Sequence, residues 1–134
     1  MSSTIDTHAH YLKSHEWARL DAATGEIVCG ISDHAQQSLS DLVYVELPRV
    51  GDHKAAGDVF GVVESVKAAS DVYMPISGTI AAVNSDLEGA PEMINKDAFG
   101  DGWLIRVKPD NVKDLDKLLD AKAYGEFLET EEGH

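Results

Sequence analysis

Residues 58–83 read DVFGVVESVKAASDVYMPISGTIAAV, and the fold turns on how this stretch is divided. Residues 59–66 form a short valine-rich run without proline, and residues 72–76 resume it in the same style, so both are predicted as strands. Between them Lys67, Ala68, Ala69, Ser70 and Asp71 are small or polar and suit the tip of a hairpin. Pro75 and Gly78 bracket a second turn that feeds a further strand over residues 79–83. Lys67 is therefore expected at an exposed tip. A lysine in that place is ordinarily a solubilising surface residue. Here Val66 and Ala68 beside it are uncharged and the next residues are small, which leaves the ammonium open to a modifying enzyme.

Outward from this hairpin, residues 16–21 and 26–31 flank Ala22-Ala23-Thr24-Gly25, a loop suited to a second hairpin. Ser32 or Asp33 can cap a short helix running through Leu39. Residues 42–47 alternate Leu42, Tyr44 and Glu46 against Val43, Val45 and Leu47, the pattern of a half-buried strand, stopped by Pro48. Residues 84–94 read as a polar loop with a helical turn at most, and residues 103–107 as the last strand. Asn111 can cap a helix that places Val112, Leu115, Leu118 and Leu119 on one face, and Ala123, Tyr124, Phe127 and Leu128 repeat the pattern. Strands outnumber helices. The expected fold is mainly β, with two small antiparallel sheets face to face in a flattened barrel or sandwich, short helices and a C-terminal helical segment. Residues 1–10 are expected as a flexible arm, 11–128 as a single domain and 129–134 as a solvated acidic tail.

The chain has 134 residues, with 24 acidic against 11 basic side chains and a formal charge of -13. Phosphate backbones and anionic membrane surfaces are poor partners for such a surface, so neither nucleic acid nor membrane binding is expected. With 43% hydrophobic residues it has the means to fold despite its charge. Cys29 is the only cysteine, which precludes an internal disulfide and reads as a small core residue. No stretch is apolar for long enough to span a bilayer, and the N-terminus has neither a secretory nor an arginine-rich transit pattern. His8, His10 and His15 invite a metal reading, but a mobile arm offers no fixed third ligand, and no metal is expected. No nucleophile, base and orienting group stand in a recognisable pattern, so no catalytic residue is assigned and the bare chain is not expected to be an enzyme.

Glu64-Ser65-Val66-Lys67-Ala68, followed by Ser70-Asp71 and Met74-Pro75-Ile76-Ser77-Gly78, resembles the lipoyl-attachment segment of the glycine cleavage system H-protein family. Ser14-His15-Glu16-Trp17, Gly30-Ile31-Ser32-Asp33-His34-Ala35-Gln36, Val45-Glu46-Leu47-Pro48, Asn95-Lys96-Asp97 and Asp101-Gly102-Trp103-Leu104-Ile105 resemble the same family, in the expected order. The likeness covers about residues 11–128, and several motifs in order are far more specific than one pentapeptide. Biotin carriers typically place methionine on both sides of the lysine and lipoyl domains of 2-oxoacid dehydrogenases place aspartate before it; this chain has Val66 and Ala68. A departure is Lys54, where a valine is common.

The resemblance implies a barrel-sandwich hybrid of the lipoyl/biotinyl type. It also implies lipoate joined to Lys67 as an amide by a lipoate ligase or a lipoyl/octanoyl transferase, which takes the formal charge from -13 to -14 by removing one positive charge. The partners implied are the P protein, a glycine decarboxylase that loads an aminomethyl group; the T protein, which transfers it; and the L protein, which reoxidises the dithiol. Ser14, Glu16 and Asp71 match family positions that hold the loaded arm, although Ser14 and Glu16 can equally begin a strand and Asp71 can close the turn beside Lys67. Two other readings stay open: a lipoyl donor for 2-oxoacid dehydrogenases, and a binding paralogue that is never lipoylated. Family members occur in bacterial cytoplasm and in the mitochondrial matrix, and the N-terminus favours the former.

Overall fold

The structure, a computed structural model, describes residues 3–132. Among the described residues, two antiparallel sheets are built from nine strands: β1 (His10–Tyr11), β2 (Glu16–Leu20), β3 (Ile27–Ile31), β4 (Leu42–Glu46), β5 (His53–Lys54), β6 (Val59–Ser65), β7 (Ala69–Tyr73), β8 (Gly78–Val83) and β9 (Ile105–Pro109). One sheet has the order β1-β2-β3-β9-β8-β5 and the other β4-β6-β7. They lie as a sandwich and do not close into a barrel, which resolves the expected choice between those two forms. Helices α1 (Asp33–Leu39), α2 (Met93–Lys96) and α3 (Ala121–Glu132) and two 3-10 segments, Ser85–Glu88 and Val112–Lys117, complete the chain.

The two-residue period of a strand explains why β3 is buried along its whole length. Ile27, Cys29 and Ile31 join the core between the sheets, with Val45, Phe60, Val63, Val72 and Ile80. Val28 faces the opposite way, into a second apolar cluster with Tyr11, Trp17, Tyr124 and Leu128. Gly30 lies on this side too, where a Cβ would come within 2.9 Å of the Trp17 indole. The glycine makes room for the ring. The Tyr11 and Tyr124 rings stack at 4.1 Å, fixing α3 over the outer face of the large sheet.

Several expectations are corrected. Residues 67–71 were expected as loop, but β7 begins at Ala69 because the Ser65 side chain closes the turn early. The same strand ends at Tyr73 rather than Ile76, since Pro75 has no N–H for a ladder. The alternation expected over residues 42–47 is interrupted: the register with β6 shifts between Leu42 and Tyr44, so Leu42 and Val45 are buried while Val43 and Tyr44 are exposed. The helix expected after Asn111, with Val112, Leu115, Leu118 and Leu119 on one face, is a 3-10 segment with Val112 exposed, although Asn111 does cap it through the Lys113 N–H. Asp120 then accepts the Ala123 N–H and starts α3.

The segment expected as a free arm is docked: Ala9 is buried, Asp6 accepts Arg19 Nη1 at 2.6 Å, and the Thr4 N–H donates to Asp33. Met1 and Ser2 lie outside the described residues. Of the expected acidic tail, α3 takes in the residues through Glu132, and Gly133 and His134 lie outside the described residues.

Candidate functional site

Lys67 stands at the tip of the β6–β7 hairpin, in a turn of Val66, Lys67 and Ala68. Ser65, almost wholly buried, organises it. Its Oγ accepts from the Lys67 and Ala68 N–H groups at 3.2 and 3.1 Å, and its own N–H donates to the Ala68 carbonyl at 2.7 Å. The Val66 N–H donates to the Asp41 carbonyl at 3.1 Å, tying the tip to the start of β4. Asp41 is held in turn. The Asn95 side chain accepts the Leu42 N–H at 2.9 Å and donates to the Ser40 carbonyl and Gln36 Oε1. The N–H groups of Val66, Lys67 and Ala68 are therefore all bonded, while Lys67 itself is exposed and its Nζ has no hydrogen-bond or ion-pair partner among the described residues. Val66 beside it is 69% exposed, so no bulky neighbour shields the amine from a partner. Glu64 is half-buried, opposite Ala69 on one side and Tyr44 on the other.

Glu16 lies on the side of β2 that faces the small sheet and is 2% exposed. Its Oε2 accepts the Tyr73 N–H at 2.8 Å, and its Oε1 accepts the Ser14 hydroxyl. Tyr73 belongs to the edge strand β7, whose outward N–H groups have no neighbouring strand, so the carboxylate takes the place of a ladder partner. Burial raises the pKa of Glu16 above its ordinary value, while the Ser14 and Tyr73 hydrogen bonds oppose the rise. Ser14 and Glu16 are thus brought together, and Glu16 meets β7 at Tyr73, two residues from Asp71. Asp71 is exposed and its carboxylate bonds to neither of them. A cleft of about 410 Å³ lined by Leu12, Gly57, Met74, Pro75 and Leu118 begins next to Tyr73.

Cys29 is buried as expected, and burial drives its thiol pKa up, so it is inert. The supports from Asp41 and Asn95 were not read as such in the sequence. A carbonyl carries no side-chain signal, and Asn95 contributed only to a motif. Also unread was the meeting of His15, His34 and Glu131, whose ligand atoms all lie within 4.8 Å of one another although they are far apart in the chain.

A lysine held out on an anchored hairpin tip, on a rigid two-sheet platform, is the layout of a carrier domain. The glycine cleavage H-protein family model matches residues 9–131. A glycine cleavage system H protein of Stenotrophomonas maltophilia is 56% identical over 130 residues, covering 97% of this chain and 98% of its own. One from Shewanella loihica is 51% identical over 129 residues, covering 96% and 99%. The crystal structure of a glycine cleavage system H protein from Mycobacterium marinum superposes with a TM-score of 0.83 at 36% identity, covering 97% of this chain and all of that one. The chain belongs to the glycine cleavage H-protein family, and as such is a carrier component and not itself an enzyme.

Proposed function

We propose that this chain carries lipoate as an amide on Lys67 and shuttles an aminomethyl group from the P protein to the T protein before reoxidation by the L protein. The observation that carries this reading is the Lys67 Nζ, exposed and without a partner among the described residues, on a turn whose N–H groups are all bonded. An amine so placed is hydrated and accessible, which suits acylation by a lipoate ligase or a lipoyl/octanoyl transferase rather than Schiff-base chemistry. Glu64, Ser65, Val66 and Ala68 form the attachment turn: Ser65 fixes its shape, and Val66 and Ala68 leave the amine uncrowded. When bound, the lipoyl disulfide supplies the acceptor for the aminomethyl group and the dithiol for reoxidation.

The chain's own residues would then hold the arm. From Ala69 to Tyr73 the strand advances four steps, about 13 Å, a span comparable to a lysyl side chain lengthened by a valeryl group. An arm laid along β7 would pass Asp71 and end near Tyr73, whose N–H Glu16 accepts, with Ser14 bonded to the same carboxylate. A cationic amine withdrawn from water needs a carboxylate or several acceptors, and Asp71 and Glu16 are the carboxylates along that path. The bacterial relatives are consistent with work in a bacterial cytoplasm, and no helix among the described residues is long and apolar enough to cross a membrane.

The test is glycine–bicarbonate exchange by a purified P protein supplied with this chain after growth with lipoate. Exchange that depends on the parent and vanishes with Lys67→Arg is expected. A lipoylated chain that supports no exchange would point instead to a lipoyl donor for 2-oxoacid dehydrogenases. A chain never lipoylated would point to a binding paralogue.

A further inference from the structure

We propose that His15, His34 and Glu131 form a binding site for a divalent first-row transition ion, zinc foremost. The three come from the β1–β2 turn, from α1 and from the last turn of α3, and one ligand atom of each lies within 4.8 Å of the others. Both imidazoles aim Nε2 at the same carboxylate oxygen of Glu131, at 3.3 Å from His15 and 3.9 Å from His34. A tetrahedral zinc with bonds of about 2.0–2.1 Å sets its ligands roughly 3.4 Å apart. One pair already has that separation, and the rest close by a small rotation of Glu131, the most exposed of the three, with a lesser adjustment of His34.

Two histidines and a carboxylate are a set that zinc accepts, leaving a fourth position for water. The side chains are 18%, 19% and 41% exposed, so an ion could enter and that position would stay open.

The surroundings of His15 favour ligation over a simple surface ion pair. Its Nδ1 lies 2.8 Å from the Tyr124 hydroxyl, which lies 2.7 Å from the Ser32 hydroxyl. Such a hydroxyl chain fixes the ring plane and can accept a hydrogen bond from Nδ1–H, leaving the Nε2 lone pair facing Glu131, as partners behind metal-bound histidines do. His15 is also held at a positive φ of 81°, which a non-glycine residue adopts only when its surroundings impose it. The histidines of the N-terminal segment take no part: His8 and His10 line a different cavity with Leu20 and Leu115. An ion here would fasten the end of α3 to the turn between Ser14 and Glu16, next to the clamp on β7.

The experiment is calorimetric titration of zinc chloride into the metal-stripped full-length protein, with cobalt absorption as a second readout of geometry. The parent should bind one zinc, with a cobalt spectrum of a low-coordinate site and a melting temperature that rises with zinc. His34→Ala and Glu131→Gln should each weaken binding by at least about tenfold, the lower bound for losing even a supporting residue. The double variant His8→Ala/His10→Ala should bind as the parent does. Glu131 is on the surface, so its variant keeps the test valid should His34→Ala fold poorly. Unchanged affinity in Glu131→Gln, loss of binding in the His8/His10 variant, or no zinc bound by the parent would each overturn the site.

Discussion

The Glu16 carboxylate accepts the Tyr73 backbone N–H at 2.8 Å, joining the large sheet to the free edge of the strand that leads away from Lys67. A residue that family resemblance links to the loaded arm is therefore also a fastener between sheets. The two roles separate by substitution. Glu16→Ala leaves the Tyr73 N–H without a partner and should cost about 1–3 kcal/mol in denaturant unfolding. Glu16→Gln keeps an acceptor for Tyr73 and resembles the protonated acid, so its fold should survive. If Glu16 shelters the loaded arm, the half-life of loaded carrier isolated from the P protein shortens in that variant; an equal half-life would remove Glu16 from the site.

The raised pKa of Glu16 has a definite sign in stability. The folded protein holds this proton more tightly than the unfolded chain, so the contribution is fully present below the ordinary glutamate value and is lost as pH rises through the raised folded value. Subtracting the Glu16→Gln stability profile from that of the parent should leave a curve that falls with increasing pH in this window. A curve that rises there would contradict the burial of an ionised carboxylate as described.

Gly61 lies beside Glu46 at the end of the β4–β6 pairing, and a Cβ on it would overlap the Glu46 carbonyl oxygen. Since backbone cannot rotate aside as a side chain can, Gly61→Ala should destabilise by about 1–3 kcal/mol, the usual cost of overpacking. Chemical denaturation checks this, and a variant as stable as the parent would show that β4 and β6 can separate there.

Tyr124→Phe retains the ring stacked on Tyr11 but removes the hydroxyl between Ser32 and His15. That hydroxyl is buried, and its pKa is pushed up to about 12, chiefly by desolvation. Its loss should cost roughly 1–2 kcal/mol, with the lipoylation of Lys67 unaffected, by denaturant melt and mass respectively. No loss of stability would mean that water replaces the hydroxyl without penalty.

How much of this was legible in the sequence depends on the range of the interaction. The Lys67 hairpin is local: valine runs, small residues at the tip and Pro75 after it are near neighbours in the chain, and what differed was the turn's length, which a side chain, Ser65, shortens, and the end of the second strand, which stops at Tyr73 before Pro75. The break in β4 was invisible because the residues of that strand alternate in type, while the register shift against β6 is a property of the pair. The docking of residues 3–10 depends on Arg19 and Asp33, which no local pattern connects to Asp6 and Thr4. Likewise His15, His34 and Glu131 meet only because α3 folds back over the large sheet. For Glu16, sequence offered a strand start and a family role, and the clamp on Tyr73 became visible only with the second sheet in place.

With 24 acidic against 11 basic side chains, the surface carries a broad negative field. Encounter with partner enzymes should therefore weaken as salt screens it. The apparent KM of a P protein for this carrier should rise with ionic strength, and a flat response would show that docking is not electrostatic.

Lys67 is the proposed site of the lipoyl group. Intact mass followed by peptide mapping of full-length protein from lipoate-supplied cells tests it directly, with Lys67→Arg alongside, because arginine keeps the charge but offers no amine to acylate. One lipoyl group on Lys67 in the parent and none on the variant is the predicted result. Lipoate on Lys54 or Lys96, lipoate persisting in Lys67→Arg, or an unmodified parent would contradict it.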